Sequence, residues 1–152
     1  MGLYQFTYAN FFLNHINFQN LTLSIMKLNL YHAAQQKPTE MPAGVLELSN
    51  DADPLEISLE GVNTIRLIFP KFTDGRAFSQ AVMLRKRRDF KGDLCATGDV
   101  LIDQLIQIAR TGFTSAELRA DQDIEHGERL LNHFKGFYQG DAINATPAFA
   151  RA

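Results

Sequence analysis

The sequence predicts an α/β fold made of repeated strand–helix units around a mainly parallel sheet. From Leu28 onward, short segments rich in apolar and β-branched residues alternate with segments of helical character. Gly, Pro and Asp residues stand between these segments, where turns and helix caps use them. Units of this kind form either a small doubly wound sheet or a half-barrel-like arrangement, and the sequence fits both.

The first unit pairs a predicted strand over residues 44–48 with a short helix that opens at Asp53. Aspartate is a good N-cap, and Pro54 suits the first helical position because no backbone donor is needed there. Gly61 can end this helix, since glycine readily adopts the left-handed conformation found at helix C-termini.

The second and third units have clearer boundaries. A β-branched, apolar segment over residues 63–69 predicts a strand that Pro70 stops, and a helix is predicted over about 78–89. Gly92 then turns the chain into a strand over 93–97, which is almost uncharged, as a buried central strand is.

The third predicted helix has Asp99 as its N-cap, runs over 100–111 and ends at Gly112. At the helical repeat its apolar residues share one broad face and its polar residues lie opposite. The apolar face holds Leu101, Ile102, Leu105, Ile106, Ile108 and Ala109, and the polar face holds Asp103, Gln104, Gln107 and Arg110.

The fourth unit is a strand over 116–119 followed by a helix over about 123–138. After Gly140 the sequence shows no period, so we expect residues 141–152 to form a frayed tail.

Length and composition indicate a single α/β domain, which we place at residues 26–140. With 15 basic and 17 acidic residues the net charge is −2, so no global field attracts nucleic acid or an anionic membrane. The single cysteine, Cys95, excludes an internal disulfide and a cysteine-based zinc or iron–sulfur site. No apolar run reaches the roughly 18 residues that cross a bilayer. We therefore expect a cytoplasmic protein that binds neither nucleic acid nor membrane.

Residues 1–25 differ from the rest of the chain. They contain no Asp, Glu, Lys or Arg, yet they hold six of the sixteen aromatic residues (12 Phe and 4 Tyr). Four asparagines interrupt the apolar runs, so the segment does not resemble a secretory signal. We interpret it as a non-native or disordered extension, with translation beginning at Met26. The alternative is an amphipathic or partner-binding arm.

Polar residues follow three predicted strands at the points where the strands end. Because the carboxyl ends of parallel strands meet at one edge of a sheet, we expect these residues to share a rim that faces a ligand crevice. They are Lys71, Thr73, Asp74 and Arg76 after the second strand, Thr97, Gly98 and Asp99 after the third, and Arg119, Asp121 and Gln122 after the fourth.

The turn that contains Asp74 and Gly75 is the best candidate for an anion site. Glycine lets backbone N–H groups approach a ligand, and the following helix points the positive end of its dipole at the same place. Arg76 supplies a fork that suits carboxylate, sulfate or phosphate, and Ser79 supplies a hydroxyl. The structural alternative is that Asp74 only caps the helix while Arg76 pairs with a nearby carboxylate.

The predicted ligand-binding residues are Asp74, Gly75, Arg76, Ser79, Arg85, Gly98, Asp99 and Arg119. Asp74 and Asp99 are also the candidate catalytic groups. Arg85 is included because it falls on the apolar side of its helix, where a guanidinium needs a partner. It either snorkels along the apolar surface or reaches an acidic partner or a ligand. We interpret the whole basic run, residues 85–88, as a solvated face rather than a nucleic-acid patch.

No cofactor or metal site is identified in the sequence. There is no GxGxxG fingerprint, no Walker A loop and no GxSxG elbow. His126 and His133 are seven residues apart on one predicted helix, which is too far for both to bind one metal ion easily. Cys95 lies within a predicted strand among apolar residues, where a thiol is usually an inert packing group.

Three motifs occur in order at short intervals: FPKFTDGRAFSQAVMLR, GDLCATGDVLIDQ and RTGF. With them the chain resembles the bacterial domain-of-unknown-function family 934, whose pattern is FPxFxDGRxxSxAxxLR, GxLxAxGDVLxDQ and RxGF. The match is dense from about residue 44 to residue 138. It does not extend to residues 1–26, and the segment DPLEISLEG is shorter and less charged than is usual in the family. The shared polar positions are Asp74, Gly75, Arg76, Ser79, Arg85, Gly98, Asp99, Asp103, Gln104 and Arg110.

The resemblance implies a link to sulfite reduction, because family members are often labelled oxidoreductases of that process. The label rests largely on genes that neighbour the gene of the sulfite reductase haemoprotein. An oxidoreductase needs an electron carrier, and this sequence shows no flavin, nicotinamide, haem or iron–sulfur motif.

Three functions follow as hypotheses. The first is an accessory protein of assimilatory sulfite or sulfate reduction that binds an anionic small molecule or docks on sulfite reductase. The second is an oxidoreductase or other enzyme of sulfur metabolism in which Asp74 or Asp99 acts as general acid–base and Arg76 holds the substrate. The third is a structural interaction protein without a ligand site, in which the rim residues only cap helices.

Overall fold

The computed structural model of the chain describes residues 28–33, 41–134 and 136–150. The predicted extension at residues 1–25 lies outside the described residues. Five strands form one parallel sheet in the order β1-β5-β4-β3-β2. They are β1 (Asn29–His32), β2 (Val45–Leu48), β3 (Thr64–Phe69), β4 (Asp93–Gly98) and β5 (Ser115–Leu118). The predicted parallel α/β fold is confirmed.

Among the described residues, three α-helices accompany the sheet: α1 (Arg76–Lys86), α2 (Leu105–Thr111) and α3 (Ile124–His133). Helix α1 contacts α2, α2 contacts α3, and α3 also contacts β1. From β2 to β5 the chain moves along the sheet in one direction, so right-handed crossovers bring α1 and α2 to the same face.

The two faces of the sheet have different chemistry. On the helix side, Ile65, Leu67 and Phe69 of β3 are fully buried in the core. The strand register places Leu94 and Ala96 of β4 beside them, and both are fully buried. The opposite face carries polar residues and is called the polar face below: Glu47, Arg66, Cys95, Thr97, Ser115 and Glu117. Alternation along each strand produces this separation.

The predicted helix after Asp53 is wrong. The chain between β2 and β3 forms turns, and Asp53 closes only one of them by accepting the N–H of Leu55 at 2.8 Å. Side chains of α1 and of the turn after it use the carbonyl groups that a helix would need for its own hydrogen bonds. Gln80 donates to Ser49 O and Ala52 O, and Arg88 donates to Pro54 O, Leu55 O and Ile57 O. The segment is an irregular crossover that α1 anchors.

The predicted capping of the third helix by Asp99 is also wrong. Leu101 is extended (φ −111°, ψ 156°), and the chain enters a 3₁₀ turn at Ile102–Gln104 before α2 begins at Leu105. Asp99 instead accepts the backbone N–H of Phe72 from the loop after β3. In α3, by contrast, Asp123 is the N-cap and accepts the N–H groups of Glu125 and His126.

The other boundaries differ by a few residues. Helix α1 covers residues 76–86 where 78–89 was predicted, and α3 ends at His133 where the prediction reached residue 138. Strand β5 begins one residue earlier than predicted, at Ser115. None of the helices among the described residues has the length and apolar content that crossing a bilayer requires.

Candidate functional site

Asp99 connects three loops at the carboxyl end of the sheet. Its Oδ2 accepts from Phe72 N at 2.9 Å, and its Oδ1 accepts from Arg119 NH1 at 2.9 Å. Phe72 follows β3, Asp99 follows β4 and Arg119 follows β5. The structure thus brings polar residues after three strands onto one rim, as parallel strands require.

Asp74 and Arg76 form a two-pronged ion pair at the start of α1. Arg76 Nε donates to Asp74 Oδ1 at 3.1 Å and Arg76 NH2 donates to Oδ2 at 2.7 Å. Asn50 Nδ2 donates to Oδ2 from the loop after β2 at 2.6 Å. The hydrogen bonds from the Arg76 side chain are the main cause that lowers the pKa of Asp74 to about 2. The Asp74 carboxylate is therefore ionised throughout the physiological range.

The N-cap residue of α1 makes no side-chain cap hydrogen bond. Asp74 Oδ1 also accepts the backbone N–H of Arg76, but Gly75 at the N-cap has no side chain with which to cap the helix. Ser79 is exposed on the first turn. Asp74, Gly75, Arg76 and Ser79 thus lie together at the positive end of a helix of 11 residues.

Arg119 is held by two carboxylates. Its Nε and NH2 donate to Asp121 at 2.6 and 2.7 Å, while NH1 donates to Asp99. The pKa of Asp121 falls to about 2, mainly because of the Arg119 side-chain hydrogen bonds. An added anion would have to displace one of these carboxylates, so Arg119 is a weaker anion donor than Arg76.

The backbone conformation and the close packing at Gly98 require glycine. Its φ is +95°, and a Cβ there would lie 2.4 Å from the carbonyl oxygen of Phe69 on the neighbouring strand. The next residue, Asp99, donates its N–H to that same oxygen at 2.8 Å. Gly98 thus lets the ends of β3 and β4 approach closely.

Arg85 lies at the far end of α1 from the rim residues. Its Nε donates to Gly112 O at 2.8 Å, and NH1 donates to Phe90 O at 2.7 Å and to Gly92 O at 2.8 Å. Burial lowers the pKa of the Arg85 guanidinium from its usual value. Neither predicted alternative describes this arrangement, because the partners are backbone carbonyl groups. Of the basic run, Lys86 and Arg87 are exposed, whereas Arg88 binds the crossover between β2 and β3.

An ion cluster that the sequence did not predict lies on the polar face. Arg66 of β3 makes a two-pronged pair with Glu117 of β5, with NH2 to Oε2 at 2.8 Å, and its Nε lies 3.7 Å from Glu47 Oε2 of β2. The side chains are 13% (Arg66), 14% (Glu117) and 19% (Glu47) exposed. The available signal was a charged residue at an inner position of each of three short strands that carry no other charge.

Cys95 lies between β3 and β5 on the same face, next to Arg66 in the strand register. Burial is the main cause that raises the pKa of its thiol to about 12. The thiol therefore stays protonated at physiological pH and is a poor nucleophile. Within the described ranges, no group of three or more His, Cys, Asp or Glu side chains is arranged to hold a metal ion.

Comparison with known proteins places the chain in a family. The family model described as "Bacterial protein of unknown function (DUF934)" matches residues 44–149, which is more than half of the chain. In two further comparisons, no curated protein and no solved structure matches significantly. The matched region contains β2 to β5, all three helices and every predicted site residue. The chain belongs to the family of bacterial proteins of unknown function DUF934.

Proposed function

We propose that this protein is an accessory protein of assimilatory sulfite reduction that binds a small oxyanion at the N-terminus of α1. The link to sulfite reduction comes from the label that relatives in the family often carry. The place of binding comes from the chemistry of the rim, where the exposed side chains of Arg76 and Ser79 lie in the first turn of α1.

The main support for this binding site is the state of the Arg76 side chain. The Arg76 side chain is 60% exposed, and its bonds to Asp74 use Nε and NH2. Among the described residues, no side chain or carbonyl accepts a hydrogen bond from NH1. Asp74 therefore fixes the guanidinium in one orientation while donors stay open to solvent. A donor that is already oriented loses less entropy when it binds an anion.

Binding is better supported than acid–base catalysis at this site. A carboxyl group whose pKa is about 2 carries no proton to give at neutral pH, and it is a weak base. Asp74 is thus suited to orient Arg76, not to move protons.

Calorimetric titration with sulfite, sulfate and phosphate tests the proposed site. Replacing Arg76 with alanine is expected to weaken oxyanion binding about tenfold or more, because a charge-assisted hydrogen bond contributes about 1.5–3 kcal/mol. The melting temperature of the variant should stay near that of the wild type, since a surface ion pair contributes little to stability.

Arg129→Ala is the matched control. Arg129 is also exposed and pairs with Asp123 and Glu125 at 3.9 and 4.0 Å, but it lies on α3. Its removal should leave oxyanion affinity unchanged. Equal affinity of the wild type and Arg76→Ala for all three anions, or no binding by either, would refute the site.

A further inference from the structure

We propose a second binding site, for a small anionic molecule with an apolar part, in the groove between α1 and α2. The groove has a volume of about 510 Å³, which is within the range of small-molecule sites. It is lined by Val82 and Lys86 of α1, by Ile106, Gln107, Arg110 and Thr111 of α2, and by Gly140, Asp141 and Ala142. Nothing in the proposed sulfite role requires this groove, and it does not include the rim residues.

The groove has three sides, formed by α1, by α2 and by residues 140–142. Hydrogen bonds fix residues 140–142 to α2. Ala142 donates its N–H to Arg110 O at 3.0 Å, and Asp141 accepts from the N–H groups of Ile143 and Asn144 at 2.9 and 2.6 Å. Asp141 is the single acidic residue that lines the groove, and its Oδ1 is bound to the backbone of the turn that follows it. A groove with a fixed wall can hold a ligand without first being ordered.

Two cations line the groove without a carboxylate partner. Among the described residues, neither Lys86 nor Arg110 forms an ion pair, although Arg66, Arg76, Arg119 and Arg129 all do. Both cations belong to the last turns of their helices, where they also complement the helix dipoles. The helix dipoles do not neutralise the charges of Lys86 and Arg110, so the groove has an excess of positive charge.

Arg110 is oriented and has a donor to spare. Its guanidinium carbon lies 4.6 Å from the centre of the Phe137 ring, and NH2 donates to Gln139 O at 3.4 Å. Its Nε is buried and donates to none of the described residues. The guanidinium is therefore held in one orientation, so an anion in the groove that binds it has less entropy to lose.

The lining defines the class of ligand. Lys86 and Arg110 select a carboxylate or a phosphate group, and Gln107 adds a polar side chain. Val82, Ile106 and Ala142 provide an apolar surface for the rest of the molecule. An inorganic oxyanion would contact only the cationic side chains, whereas an anion with an apolar group would contact both the cations and the apolar surface.

Nuclear magnetic resonance titration of the arginine Nε–H signals tests this site, with phenyl phosphate, inorganic phosphate, benzoate and benzyl alcohol as probes. Arg110→Lys identifies the Arg110 signal by removing it. Phenyl phosphate should shift that signal saturably and bind about tenfold more tightly than inorganic phosphate, because it also buries apolar surface. Benzoate should also bind, and benzyl alcohol should not.

Two variants and two controls complete the test. Calorimetric titration measures the variants, because Arg110→Lys lacks the Arg110 signal. Lys86→Gln and Arg110→Lys should each weaken phenyl phosphate binding about tenfold, whereas Arg87→Gln, from the exposed part of the same basic run, should not. Arg76→Ala should also bind phenyl phosphate in the groove normally, so failure at the rim and failure in the groove are distinguishable. The proposal is overturned if no anion gives a saturable shift up to about 10 mM, or if Lys86→Gln and Arg110→Lys bind as the wild type does.

Discussion

Glu117→Ala is expected to destabilise the fold by about 3–5 kcal/mol, because it leaves the Arg66 guanidinium largely buried without its two-pronged partner. Glu47 cannot replace the lost carboxylate, since its oxygen lies 3.7 Å from Nε and makes no hydrogen bond with that atom. A chain of this size has about 5–15 kcal/mol of stability in total, so a large share would be lost. Urea denaturation followed by circular dichroism measures the change.

The controls separate burial from charge. Glu125→Ala removes a carboxylate whose partner Arg129 is exposed and 4.0 Å away, and it should cost no more than about 0.5 kcal/mol. The triple variant that combines Arg66→Met, Glu117→Leu and Glu47→Leu should recover most of the loss, because it removes all three charges of the cluster. If Glu117→Ala stays within about 1 kcal/mol of the wild type, the ion cluster on the polar face does not contribute as its burial suggests.

Arg85→Met is expected to cost about 3 kcal/mol, because it leaves the carbonyl groups of Phe90, Gly92 and Gly112 without the donors that Arg85 supplies. Methionine fills much of the space of the arginine stem, so the loss of hydrogen bonds dominates over any cavity. Within the wild type, NH2 is the one nitrogen of the Arg85 guanidinium that donates to no described residue. Most of the hydrogen bonds that this side chain can make are therefore lost in the variant. Thermal and urea unfolding both report the effect.

Arg87→Met is the matched control, because Arg87 is exposed and belongs to the same basic run. It should change stability by less than about 0.5 kcal/mol. If Arg85→Met instead unfolds as the wild type does but loses oxyanion binding, Arg85 is a ligand-binding residue, as the sequence suggested, and the structural role given to it here is wrong.

The strands were predictable because their patterns are local. The residues of β3 are mostly apolar and β-branched, and those of β4 are nearly uncharged. These patterns predict strands without any knowledge of the neighbouring segments. The segment after Asp53 was not predictable in this way. It has a good N-cap and a proline in the right place, but Gln80 and Arg88, far along the chain, bind its carbonyl groups.

The same distinction applies to the site. The rim could be predicted because parallel strands end at one edge, whatever their order. The role of Asp99 could not, since its backbone partner is Phe72, 27 residues earlier. The cluster of Arg66 with Glu47 and Glu117 needs the strand order, which lets Arg66 reach across β4 to Glu117, 51 residues later in the chain. Long-range partners, not local propensities, therefore account for what sequence analysis missed.

Growth of a strain that lacks the gene tests the proposed role most directly, with sulfate, sulfite, or sulfide plus cysteine as the sulfur source. We expect growth to fail on sulfate and on sulfite and to recover on sulfide plus cysteine. Complementation by the wild-type gene and by Arg129→Ala should restore growth on sulfite, whereas Arg76→Ala should not. Equal growth of the deletion strain on all three sources would contradict a role in sulfite reduction.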